Sequence, residues 1–95
     1  MQNQPLIDVT GNNIIEVSQA VSRWFIDVES ESGTGTITVQ YQPPGTSVWK
    51  DLGDDAVLDL SDANVPGIEV PCRAQAFKFT SSNGTDTYSA YANDA

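Results

Sequence analysis

The chain has no histidine, a single cysteine and only four basic residues, Arg23, Lys50, Arg73 and Lys78. Each scarcity removes a class of function. Without imidazole there is no serine or cysteine triad, no zinc site of the usual kind, and no commonest general base. Cys72 has no partner for an intrachain disulfide, whereas small secreted domains are usually stapled. Thirteen acidic residues against four basic ones give a net charge of −9. Binding to phosphate backbones comes from Lys and Arg, and the four cations here are scattered singly. Nucleic acid and anionic membrane are therefore disfavoured as partners; the charge reads first as a solvated acidic surface that favours solubility, and any charged partner would be basic. No apolar run approaches the ~20 residues of a spanning helix. Residues 1–5 carry neither a basic n-region nor an apolar stretch, so the expectation is synthesis and assembly in a cytoplasm.

What remains abundant is strand and turn chemistry. Ninety-five residues make one domain with one modest core. Residues 1–5 read as a flexible arm and 6–95 as a single unit. Trp24, Ile26 and Val28 alternate with Phe25, Asp27 and Glu29. After Ser32-Gly33-Thr34-Gly35, the residues Ile37, Val39 and Tyr41 alternate with Thr36, Thr38, Gln40 and Gln42. Period two with one apolar set is the mark of a strand with one buried face. Phe25 among carboxylates suggests that the other face of its strand is partly covered too.

The same reading gives strands over 6–10, 14–17, 48–52, 56–60, 68–71, 73–80 and 87–92. Pro43-Pro44-Gly45 ends one of them, since proline cannot donate to a ladder. Asn83-Gly84 reads as a tight type I′ turn joining the last two strands in a hairpin. It also opens a formal Asn-Gly-Thr glycosylation sequon, for which the turn is the preferred reading. Residues 61–67 have room for one helical turn capped by Ser61. The pattern as a whole predicts an all-β fold, a single antiparallel β-sandwich or small jelly roll of about eight short strands.

Chemistry is sparse. Asp51, Asp54, Asp55, Asp59 and Asp62 crowd one stretch, but their spacing matches no Ca²⁺ loop. They read as a solvated acidic rim, and no metal or cofactor is expected. No Walker loop or dinucleotide fingerprint occurs. Cys72 reads as a small buried filler. Trp24, Tyr41, Phe77, Phe79 and Tyr88 fall on apolar faces and read as core. Trp49 is either core or a lid over the sandwich end, or else a contact surface, and Tyr91 lies on the polar face of its strand.

A Trp-bearing strand, a Gly-Thr-Gly turn and an alternating Thr-x-Val strand lead into Pro44-Gly45-Thr46-Ser47-Val48-Trp49-Lys50-Asp51-Leu52. A Val-Pro pair, an aromatic strand and a tyrosine strand follow. Across residues 23–92 this resembles the small β-sandwich modules of tailed-bacteriophage virions: capsid decoration (cement) proteins, head fibres and tail appendages. The resemblance implies a non-enzymatic structural protein, free of disulfides and homo-oligomeric, often trimeric. It would bind the major capsid protein or another virion protein. The expected function is capsid decoration on the outside of a phage head. The alternative is a carbohydrate- or receptor-binding module of a tail appendage. The residues expected to meet a partner are Gln2, Asn3, Gln4 and Pro5 of the arm, Pro43, Pro44 and Trp49 of one turn, Asp54 and Asp55 of the acidic loop, and Tyr91.

Overall fold

The computed structural model describes residues 5–32, 35–53, 56–61 and 67–94. They form nine strands: β1 (Leu6–Thr10), β2 (Asn13–Glu16), β3 (Trp24–Ser32), β4 (Thr36–Gln42), β5 (Lys50–Asp51), β6 (Val57–Asp59), β7 (Ile68–Val70), β8 (Ala76–Ser81) and β9 (Thr87–Asp94). Every pairing is antiparallel. One sheet has the order β1-β9-β3-β7, and the second has β2-β8-β4-β5 with β6 also on β4. Strands β5 and β6 meet the same strand, at Gln40–Tyr41 and at Thr36–Thr38 respectively. Together they make one interrupted edge strand. Four strand pairs then face each other across the core, β1/β2, β9/β8, β3/β4 and β7/β6, which is the interleaved order of a jelly roll.

Alternation in the sequence becomes the two inner faces. Trp24, Ile26 and Val28 from β3, and Tyr88, Ala90 and Ala92 from β9, meet Ile37 and Val39 from β4 and Phe77 and Phe79 from β8. All are buried, and Tyr41 packs against them while half-exposed. Trp24 meets Phe77 edge-on, with ring centroids 5.8 Å apart. Phe79 lies 6.5 Å from Tyr88. Both pairs join one sheet to the other, and each is worth about 0.5–1.5 kcal/mol beyond its buried area. The Trp24 indole N–H is buried and meets no acceptor among the described residues. Leaving such a donor unpaired costs about 1–3 kcal/mol, which the burial of the whole side chain outweighs.

The last two strands, expected as a hairpin, do not form one, and neither do β3 and β4. The strands β3 and β4 lie in opposite sheets, as do β8 and β9. β8 is already flanked by β2 and β4, and β9 by β1 and β3, so neither has a free edge for the other. The chain from 82 to 86 therefore arches over the core end, spanning the ~10 Å between sheets. Gly84 has φ 73° but Asn83 does not share that positive φ, which excludes a type I′ turn. Asn83 Oδ1 instead accepts hydrogen bonds from the amides of Thr85 and Asp86.

Residues 11–12, Gly35 and residues 82–86 meet at this end and are bonded together. Tyr88 Oη donates to the Gly11 carbonyl at 2.7 Å and accepts from Asn13 Nδ2 at 3.2 Å. Buried Asp86 accepts from Ser81 Oγ, Asn83 Nδ2 and the Gly35 amide. Gly35 is required there by space: a Cβ would stand 2.5 Å from Asp86 and 2.6 Å from Ser82. The opposite end carries Pro5 and the connections 17–23, 43–49 and 71–75.

Smaller departures follow from the same frame. β8 begins at Ala76 rather than near residue 73, because residues 71–75 are still crossing between sheets. Cys72 sits in that crossing, half-exposed and packed against the core, rather than fully buried in a strand. Ser61 donates its amide and hydroxyl to Asp59 Oδ1, at 2.9 and 2.7 Å, so an aspartate turn forms at that point. The remainder of the expected helical turn lies outside the described residues.

Candidate functional site

The two outer faces of the sandwich differ in chemistry. On the β1-β9-β3-β7 sheet, Phe25 stands between Glu69 of β7 and Asn93 of β9, Asp27 beside Tyr91, and Glu29 beside Ser89. Asp8 is exposed at a bulge in β1, where two residues oppose one between Leu6↔Ala90 and Val9↔Tyr88. Its φ of 49° turns its amide onto Ser89 Oγ at 3.1 Å. This face thus collects Asp8, Asp27, Glu29 and Glu69 with two half-buried aromatic rings. Its paired strands carry no Lys or Arg, and Arg23 stands just before β3. Phe25 is partly covered, as its sequence context suggested: one edge of its ring fills the space where a Cβ of Gly67 would lie, and the rest stays accessible.

The outer face of the other sheet is mixed. Register aligns Ile14, Lys78, Gln40 and Asp51 in one row and Glu16, Ala76 and Gln42 in the next. Trp49, just before β5, lies at the end of that second row. It is half-exposed on the sheet face, so it is not a lid over the sandwich end. Lys78 Nζ sits 4.8 Å from the centroid of its ring. A groove of about 390 Å³ runs beside it, lined by Ile14, Glu16, Val17, Gln19, Gln42, Trp49, Gln75 and Ala76. The small Ala76 side chain forms the dip between Glu16 and Gln42.

Gln75 holds the loop that carries Trp49. Its Oε1 accepts from the Gly45 amide at 2.9 Å. Its Nε2 donates to the Thr46 carbonyl at 2.9 Å and to Gln42 Oε1 at 2.6 Å. Its own backbone bonds to Gln42 and Val17. Sequence reasoning missed Gln75, because a polar residue placed on an alternating strand reads as solvent-facing. It missed Glu16 and Gln42 for the same reason. The signal that existed was Pro43-Pro44-Gly45, a loop needing an external anchor for its backbone groups.

Of the residues expected at a partner surface, Pro43, Pro44 and Trp49 share one loop. Pro5 is exposed at the start of β1, and Tyr91 is on the opposite outer face. Tyr91 therefore does not join Trp49 in one site. Gln2, Asn3, Gln4, Asp54 and Asp55 lie outside the described residues. Asp51 accepts from Gln40 Nε2 at 2.8 Å. Asp51 and Asp59 sit opposite residues four apart on β4, about 13 Å along the strand, so these two carboxylates do not converge. No cluster of three potential metal ligands occurs among the described residues.

All four outer strands are short or broken as edges: β1 is bulged, β2 and β7 have four and three residues, and β5/β6 is interrupted. Such edges are poor templates for strand addition. The faces and loops are the better contact surfaces.

Comparison with protein-family models, with curated proteins and with solved structures gives no match for this chain.

Proposed function

We propose that this protein is a non-enzymatic structural component of a tailed-phage virion, a capsid decoration protein that binds the outer surface of the head as a homo-oligomer. The observation that carries this reading is the acidic outer face of the β1-β9-β3-β7 sheet. Asp27 and Glu29 are two residues apart on one side of β3, about 6.6 Å along the strand. Their mutual repulsion is about 0.6 kcal/mol even in water. A basic lattice surface would relieve it, while Phe25 and Tyr91 supply apolar contact area of the kind that anchors interfaces. The rigid cross-stitched core suits a part that must hold its shape on a particle.

Mass spectrometry of gradient-purified particles tests this reading. The expected result is abundant peptides of this chain, at a copy number that scales with the head lattice and persists in tailless heads. Its absence from particles, or its presence at the few copies of a tail component, would overturn the decoration assignment.

A further inference from the structure

We infer that the groove beside Trp49 binds neutral carbohydrate. This face is opposite the one assigned to the head, so the two readings stand or fall separately.

Three features of the groove carry the inference. First, the indole is held in place before any ligand arrives. Gln75 pins the 43–48 loop through Gly45 and Thr46, and the Lys78 ammonium lies against the ring at 4.8 Å. A fixed aromatic wall costs a ligand little ordering entropy. Second, the polar groups around the dip are unspent. Among the described residues, the Glu16 carboxylate, the Gln19 amide and Gln42 Nε2 have no hydrogen-bond partner. Gln42 is oriented all the same, because its Oε1 accepts from Gln75 Nε2 at 2.6 Å. Glu16 and Gln42 flank Ala76 across two strand spacings, ~10 Å apart. They offer a carboxylate acceptor and an amide donor to opposite sides of whatever lies on Ala76. Third, the volume of about 390 Å³ falls within the ~300–1,000 Å³ of small-molecule sites.

A stacking ring beside planar acceptors and donors is the complement of a sugar, which presents a C–H face and a rim of hydroxyls. Charge selects the kind of sugar. Glu16 faces the groove, Lys78 is occupied by the ring, and the chain carries −9 overall, so acidic glycans are repelled and neutral hexose polymers are accepted.

The test is titration of the intact protein with gluco-, manno- and galacto-oligosaccharides, with polygalacturonate as the acidic comparator. Trp24 is fully buried, so in the parent and in Glu16→Gln a fluorescence change reports Trp49, and calorimetry reads binding in Trp49→Ala, which lacks that probe. The expected result is saturable binding on the order of millimolar by at least one neutral series. Trp49→Ala should weaken it at least tenfold. Glu16→Gln, an exposed position with no internal bond to lose, should weaken it severalfold at unchanged melting temperature. No saturable binding by any neutral series would overturn the inference. So would binding that survives in both variants, or a preference for polygalacturonate.

Discussion

Replacing Gln75 with alanine removes three side-chain hydrogen bonds, to Gly45, Thr46 and Gln42. The loop is exposed, so water takes over at the freed backbone groups. Each bond then counts near the low end, about 0.5 kcal/mol. Against the sum of ~1.5 kcal/mol stands part of the glutamine rotamer entropy recovered on truncation. The net expectation is a loss of about 1 kcal/mol, which for a domain of this size lowers the melting temperature by ~4–8 °C. Gln75→Glu discriminates the mechanism. It keeps the acceptor for Gly45 but sets a carboxylate against two other acceptors, Thr46 O and Gln42 Oε1. At neutral pH it should be less stable than the alanine variant. Near pH 4, where a glutamic acid regains a proton to donate, the order should narrow or reverse. Thermal circular dichroism at both pH values measures this. A Gln75→Ala protein melting within 1 °C of the parent, or a Gln75→Glu variant with no pH-dependent difference from it, would refute the anchoring argument.

Burial raises the Tyr88 phenol above its ordinary value, with the Asn13 hydrogen bond opposing. A folded-state value above the unfolded one gives stability that is complete below pH ~10 and is lost as pH rises through the folded value. Tyr88→Phe should cost about 1 kcal/mol at neutral pH, because Gly11 O keeps only the long 3.4 Å bond from Asn13 Nδ2, which itself still donates to Thr10 O, and should flatten the alkaline fall in a urea-melt series. Asp59 is held below the usual carboxylate range by the Ser61 hydroxyl and then its amide; Ser61→Ala should raise its titration midpoint by NMR. Gly35→Ala drives a methyl group into Asp86 and Ser82, and should cost about 1–3 kcal/mol in denaturant melts, as overpacking does.

Strand positions were legible because period-two alternation is a local property. Residues 6–10 and 36–42 coincide with β1 and β4, and the buried sets Trp24/Ile26/Val28 and Phe77/Phe79 follow from the pattern alone. Pairing was not legible. A glycine turn between two strands is compatible with a hairpin or an arch. The choice depends on which neighbours already occupy each strand's edges, a property of the whole sheet order. The acidic face was half-visible in Asp27, Glu29 and Phe25, but Glu69 and Asp8 reach it through β7 and the β1 bulge. The groove was least visible. Trp49 signalled it, yet Gln75 and Glu16 come to it from strands and loops distant in sequence, through pairing with β8.

Rebinding of purified protein to heads lacking it, across a salt series, tests the central claim most directly. The account predicts stoichiometric binding that weakens as salt rises and is lost in an Asp27→Lys/Glu29→Lys variant of unchanged fold, while Trp49→Ala binds like the parent. Failure of the parent to bind heads, or a double variant that binds them as tightly, would contradict it.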